Sequence, residues 1–263
     1  MASSSRALVT GASAGIGRSY AEHLARTGCA LVLVARRRDR LDDLAAELRA
    51  AHGVEVEVLP ADLGDPVGVA AVAERLGASP PVDLLVNNAG YAARGMVAEL
   101  DPAALADMIQ VNVVALAQLS HAAMKAMRAA GRGRIINVSS GTVFANLPGN
   151  AGYGATKNFV TAFTRTLQVE AEGTGVEVQL LIPGVIATDF HTVAGNDLSR
   201  FPPERVMQAD DLVVASLRAL DMGESVCIPS LPDVSTWDRY GEAEAACWAN
   251  VSRDKPAARY HGA

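Results

Sequence analysis

Short runs rich in Val, Leu and Ile recur along the chain and alternate with segments of helical periodicity. The apolar runs lie at 7–9, 30–34, 54–59, 83–86, 134–138, 176–182 and 225–228. Most are continuous rather than alternating, which is how strands covered on both faces read. Between them, 40–51 places Leu41, Leu44 and Leu48 on one stripe, and Gly53 follows as a stop. Pro66 opens another helix at a position that tolerates proline. The Ala-, Leu- and Met-rich stretch 103–130 predicts one long helix, and 153–172 a further one. Seven strands separated by helices predict an α/β fold, a doubly wound parallel sheet. No repeat or linker breaks the pattern, so 1–263 reads as a single domain. Within it, 183–205 is long for a connection and predicts a substrate loop. The stretch 229–263, with Trp237, Tyr240 and Trp248, reads as a C-terminal extension for packing or subunit contact.

Composition narrows the function. Half of the 263 residues are hydrophobic and 20% are charged, the balance of a globular protein with a sizeable core. The net charge of −6 offers no basic footprint for nucleic acid. The N-terminus shows no signal-peptide pattern, and no stretch reads as long and apolar enough to span a bilayer. A cytoplasmic protein with no membrane partner is the expectation. Cys29, Cys227 and Cys247 are odd in number and far apart, which predicts reduced thiols rather than disulfides or a metal site. The five histidines also lack metal-ligand spacing, and His191 in the substrate loop reads as a lid or solvent-facing residue.

The first strand runs into Thr10-Gly11-Ala12-Ser13-Ala14-Gly15-Ile16-Gly17, and a helix follows. Glycines there let the backbone turn tightly and let a pyrophosphate approach it closely. The helix N-terminus then offers free N–H groups and a positive dipole end. The candidate cofactor contacts are Gly11, Ser13, Ala14, Gly15, Ile16 and Gly17. The same stretch also fits the nucleophile elbow of an α/β-hydrolase, with Ser13 as nucleophile. That fold needs strands before the elbow to supply its oxyanion loop, and here Ser13 follows the first strand. The second strand ends in Val34-Ala35-Arg36-Arg37-Arg38. An acidic residue at this place accepts from the ribose 2′-hydroxyl of NAD. Ala35 followed by arginines instead fits the 2′-phosphate of NADP, which Arg36 and Arg37 can bind as guanidinium forks. Asp62, with Leu63 beside it after the third strand, is placed to accept from the adenine amino group.

Further motifs follow in order. Asn87-Asn88-Ala89-Gly90 ends the fourth strand and Asn112 lies in the long helix. Ser139-Ser140 follows the fifth strand, and Tyr153-Gly154-Ala155-Thr156-Lys157 opens the next helix. Together with the glycine turn, over roughly 7–228, these resemble the short-chain dehydrogenase/reductase family. The resemblance implies a Rossmann-type NADP-dependent oxidoreductase acting on an alcohol or carbonyl, preferring NADPH to NADH. The chemistry is also legible directly. Tyr153 and Lys157 are i and i+4 and share a helix face, and a nearby ammonium lowers the proton affinity of a phenol. Tyr153 then exchanges the proton with the carbonyl oxygen, and Ser140 hydrogen-bonds that oxygen. In the family the lysine also binds the nicotinamide ribose, and the helix asparagine holds a proton-relaying water. Those roles fall on Lys157 and Asn112. By the same resemblance Asn88, Ala89 and Gly90 line the adenosine side, Pro183 and Gly184 pass by the nicotinamide, and Ile186 and Thr188 complete the cofactor site.

Tyr91, Val143, Phe144, Leu147, Ile186 and Phe190, next to these motifs, are the expected substrate lining. The set is mostly apolar and favours a medium-sized hydrophobic ketone, aldehyde or secondary alcohol. A 3-oxoacyl thioester on a carrier protein is the alternative substrate. A non-catalytic NADPH-binding sensor or scaffold is the alternative of another class, and intact Ser140, Tyr153 and Lys157 argue against it. The small and apolar residues of 103–130 and of the helix after Tyr153 predict a homotetramer or homodimer, since in the family these helices build the main interface.

Overall fold

The computed structural model describes residues 5–188, 190 and 198–260. Strand β1 (Arg6–Thr10) is buried at every position, as the middle strand of a two-sided sheet requires. Helix α1 (Gly15–Arg26) leads to β2 (Ala30–Ala35), α2 (Arg38–His52) and β3 (Val56–Pro60). Then come α3 (Pro66–Gly77) and β4 (Leu84–Asn87). Asp65 caps α3 by accepting from the Val67 N–H, with Pro66 in the first turn. The second half runs α4 (Pro102–Ile109), a π turn (Gln110–Ala115), α5 (Leu116–Ala130), β5 (Gly133–Val138), α6 (Ala151–Ala171) and β6 (Val176–Leu181). It ends with the short strands β7 (Val185–Ala187) and β8 (Val206–Gln208), α7 (Ala209–Asp221) and β9 (Val226–Cys227).

Seven parallel strands form one sheet in the order β3-β2-β1-β4-β5-β6-β9. The order reverses at β1 and β4, so the ends of these strands open a crevice where ligands of such sheets bind. Two apolar clusters cover the faces. One joins Tyr20, Leu31, Leu33, Leu44, Ile136 and Leu212. The other joins Leu8, Val32, Leu85, Leu119, Met127 and Ile135. All seven strands read from the sequence are present, within a residue or two of the expected ends.

Three expectations change. The stretch 103–130 is not uniform α-helix, because Gln110–Ala115 is a π turn. The wider turn admits an extra residue, a common device at functional positions, and hydrophobic periodicity does not register it. Second, the 29-residue run Pro102–Ala130 is, by length and composition alone, long and apolar enough to cross a membrane. Its apolarity has a local cause: Leu119, Ala123 and Met127 are buried in the cluster on the sheet. Third, the loop 183–205 is not wholly irregular. Val185, Ile186 and Ala187 pair in parallel with Val206, Met207 and Gln208. Strands of three residues are too short to show a period. His191 lies outside the described residues.

The chain clusters into two compact units, Met1–Pro229 and Ser230–Ala263, where the sequence reading takes a single domain. The second unit holds α8 (Ser235–Trp248) and a 3₁₀ turn (Ala258–Tyr260). Asp233 starts α8 by accepting from the Ser235 N–H at 2.9 Å, and the Trp237 and Tyr240 rings stack 5.4 Å apart.

Candidate active site

At the end of β1, Thr10 ties β1 to the end of β4. Its Oγ1 donates to the Val86 carbonyl at 3.2 Å and accepts from the Asn88 and Ala89 N–H groups, each at 3.0 Å. Asn88 Nδ2 donates to the Thr10 carbonyl at 3.0 Å. The Asn88 side chain therefore holds the β1 and β4 ends together. Gly11 follows with φ +69°, and a Cβ there would sit 2.8 Å from Asn88 Nδ2. At Gly17 a Cβ would sit 2.3 Å from the Gly11 carbonyl oxygen. Side chains at either place would fill the turn. Ala14 caps α1 in extended conformation with no side-chain hydrogen bond from a described residue, and the first turn carries no acid. The donors and positive end of α1 thus face a cradle that suits a pyrophosphate. Thr188 reaches the same turn: a Cβ on Gly15 would touch its Cγ2 at 3.1 Å.

The end of β2 adjoins this cradle. Ala35 pairs with Pro60 on β3, and Arg36 and Arg37 project into solvent. Arg37 Nη2 donates to Ser13 Oγ at 3.2 Å, bringing the arginine run onto the glycine turn. Asp62 Oδ1 accepts from the Gly64 N–H at 2.9 Å, while Leu63 is buried in the core. Its side chain is thus committed to packing. These residues fit a dinucleotide: a cradle without Cβ atoms and open helix donors, with two exposed arginines at the end of β2.

The second half of the site lies on α6. Tyr153 and Lys157 are each only 5% exposed, so both reactive groups are withdrawn from water. Lys157 Nζ donates to the Val138 carbonyl at 2.9 Å, and Ser139 Oγ donates to the Lys157 carbonyl at 2.9 Å. These two bonds lock the helix onto the end of β5. Ser140 begins the 3₁₀ turn Gly141–Phe144, accepts from the Thr142 N–H at 3.3 Å and hydrogen-bonds the Tyr153 side chain. The Gly141 N–H donates to the Pro183 carbonyl at 2.7 Å, which lays the 183–184 strip alongside Ser140.

Asn112, in the π turn, is 1% exposed. Its Nδ2 donates to the Tyr91 carbonyl at 2.9 Å and to Thr156 Oγ1 at 3.1 Å. Its Oδ1 accepts from the Tyr91 N–H at 3.1 Å. The side chain is thus bound to protein at both ends. Gly90 passes between: a Cβ there would lie 3.0 Å from Asn112 Oδ1 and 3.6 Å from Lys157 Nζ.

The electrostatics differ from the expectation that the Lys157 ammonium acidifies Tyr153. Burial pushes the Tyr153 phenol above its ordinary value, and the Ser140 hydrogen bond and then the Arg94 charge pull it back. Burial drives Lys157 down to about 8. Its ammonium stands 5.9 Å from the Tyr153 ring centre.

Of the expected substrate lining, the Phe190 ring lies 5.9 Å from that of Tyr153. Phe144 and Leu147 are about half exposed, and Val143 shares with Phe144 the short turn that Ser140 begins. Tyr91 packs beside Tyr153 and Met108, and burial, then the Asp107 charge, raises its phenol above the ordinary value. Ile186 is a correction: it is 4% exposed within a core cluster, so its side chain lines no open pocket. Thr10, Thr156 and Arg94 were not singled out in the sequence. Thr10 and Thr156 lie inside the quoted motifs, but their bonds to Val86, Asn88, Ala89 and Asn112 come from distant segments, and a lone Arg carries no pattern.

Residues 5–198 match the model for short chain dehydrogenase. A short-chain dehydrogenase from Sphingobium yanoikuyae, solved in complex with NADPH, is 39% identical with a TM-score of 0.92, over 97% of this chain and 100% of that one. A bulky-bulky ketone specific alcohol dehydrogenase from Comamonas testosteroni is 32% identical with a TM-score of 0.89, over 98% and 99%. The very-long-chain 3-oxoacyl-CoA reductase-A of Danio rerio is 33% identical over 208 residues, 78% of this chain and 65% of the relative's length. With its glycine cradle and its Ser140, Tyr153 and Lys157 cluster, the chain belongs to the short-chain dehydrogenase family of oxidoreductases.

Proposed function

We propose that the chain interconverts a ketone or aldehyde with its alcohol, using NADPH in preference to NADH and Tyr153 as general acid and base. The observation that carries this is the meeting of Ser140, Tyr153 and Lys157 in a water-poor site at the strand ends that also form the glycine cradle. When bound, NADPH supplies the hydride. Residues 11–17 and the α1 N-terminus would hold its pyrophosphate, and Arg36 and Arg37 its 2′-phosphate. In the reductive direction Ser140 holds the substrate oxygen and Tyr153 passes its phenolic proton to it. Donors already in place stabilise developing charge without reorganising. Lys157 holds a second proton beneath the Tyr153 ring, anchored by the Val138 carbonyl. Asn112 and Thr156 keep Tyr91 and the start of α6 in register.

Half-exposed Phe144 and Leu147, with Phe190 near Tyr153, favour an apolar body on the substrate. The Danio rerio relative keeps a 3-oxoacyl thioester as the second reading. The apolar groove between α4 and α6, lined by Leu105, Ile109, Val113 and Ala155, favours a homodimer or homotetramer. The test is a panel of ketones, aldehydes, secondary alcohols and acyl thioesters, followed by absorbance of the reduced cofactor. Turnover of carbonyls or alcohols with NADP(H) is expected. Binding of NADPH with turnover of none would favour a sensor or scaffold.

A further inference from the structure

Helix α1 meets the strands β7 and β8 and the start of α7 at two places. The first is the cradle, where a Cβ on Gly15 would lie 3.1 Å from Thr188 Cγ2. Thr188 directly follows β7, and β7 pairs with β8 through Ala187 and Gln208. The second is one turn further along α1, where Ser19 Oγ donates to Asp210 Oδ1 at 2.5 Å. Asp210 stands in the first turn of α7, two residues beyond Gln208. The segments α1, β7, β8 and α7 therefore close a ring. Gly15 and Thr188 meet on one side of it, and Ser19 and Asp210 clasp the other.

A second side chain reaches the same carboxylate. His23 follows Ser19 by four residues, so the two share a helix face. Its Nε2 is buried with no hydrogen-bond partner among the described residues, and it lies 3.9 Å from Asp210 Oδ1. Asp210 of α7 faces the imidazole, as do Glu22 and Arg26 of its own helix. Burial and then Arg26 hold its proton affinity below the ordinary range, against Asp210 and Glu22. One oxygen thus serves a hydroxyl that it already binds and an imidazole that becomes a charged donor in acid. A charged donor is the stronger partner for a carboxylate. Resting on the NADP(H) reading above, we propose that Asp210 is a positioning residue for the cofactor, which holds Thr188 against the glycine cradle through Ser19 and gives up that hold when His23 takes a proton. The grip on the dinucleotide then weakens as pH falls below the ordinary histidine range.

The experiment measures NADP⁺ binding by calorimetry between pH 8 and pH 5 for the intact protein, His23→Leu, Asp210→Asn and Asp210→Ala. The nucleotide's own 2′-phosphate titrates alike in all four, so differences between the proteins isolate the clasp. From pH 8 to pH 5 the intact protein should lose on the order of fivefold more affinity than His23→Leu. Asp210→Asn keeps an oxygen that accepts from Ser19 but offers His23⁺ no charge. It should match the intact protein at pH 8 and share the flatter profile of His23→Leu. Asp210→Ala removes the clasp and should bind on the order of fivefold more weakly already at pH 8. The Tyr20 hydroxyl donates to Ser216 Oγ at 2.6 Å and ties α1 to α7 independently, so folded variants are expected. The Asn and Leu arms decide the matter even should Asp210→Ala fail to fold. A pH profile unmoved by His23→Leu and by Asp210→Asn, or an Asp210→Ala protein that binds as the intact one does, overturns the proposal and leaves the cofactor reading standing. An intact protein that binds neither NADP⁺ nor NADPH at any pH overturns both.

Discussion

The Asn112 side chain pairs with both sides of Tyr91, accepting from its N–H at 3.1 Å and donating to its carbonyl at 2.9 Å. A third bond reaches Thr156 Oγ1, which itself donates to the Tyr153 carbonyl at 2.7 Å. The long helix, the β4 loop and the start of α6 are joined through one amide. Asn112→Ala leaves buried peptide groups unpaired, so a loss of about 2–3 kcal/mol in urea unfolding is expected. A change below about 0.5 kcal/mol would show that the loop holds itself.

Tyr153→Phe removes the proposed proton donor and keeps the buried ring. Turnover should fall on the order of a hundredfold to ten-thousandfold. NADPH affinity, followed by fluorescence titration, should change little. A variant that kept more than about a tenth of the original kcat would refute the assignment.

Cofactor choice is read from the end of β2. Arg36→Ala should weaken NADPH on the order of tenfold to a hundredfold and NADH far less, since a charge-assisted bond contributes about 1.5–3 kcal/mol. Arg37 already reaches Ser13 at 3.2 Å and can share the phosphate, so the double variant should lose more. Ala35→Asp should shift preference toward NADH. Equal losses for both cofactors would make the arginines a solvated helix start.

Gly17→Ala tests the cradle itself. The added methyl would fall 2.3 Å from the Gly11 carbonyl oxygen, which is backbone and cannot swing away. A lower Tm and a loss of NADPH binding are expected together. Normal binding at unchanged Tm would contradict the geometry.

Lys157 links stability to pH. Its folded value of about 8 lies below the ordinary 10.5. Between those values the unfolded chain binds a proton that the folded chain has released, so this group adds stability as pH rises from about 8 to 10.5. The span of 2.5 units corresponds to about 3 kcal/mol, present in full above it and absent below pH 8. Lys157→Met lacks the effect. The stability difference between the two proteins in urea should therefore move toward the intact protein as pH rises through that window. Tyr153, whose phenol is raised, opposes this only above pH 10 and in both proteins alike. A difference that stays flat from pH 7.5 to 10 would place the ammonium in water.

The strand pattern determined the parallel sheet, because strands covered on both faces are apolar along most of their length and most of the seven runs in the chain read that way. The glycine turn at 11–17 and the Tyr153–Lys157 spacing were legible for a similar reason. Each is local, fixed by backbone sterics or by the pitch of one helix. Tertiary structure decided what depends on distant segments. It turned Asn112 inward through a π turn, buried Ile186 in the core, and set Thr188 against Gly15 across the sheet's end. It also gave Tyr153 its balance, in which burial outweighs Ser140 and Arg94. Burial and Coulomb energy depend on distance in space, and residues 94, 140 and 153 acquire theirs only when the β4 loop, the β5 end and α6 close on one another.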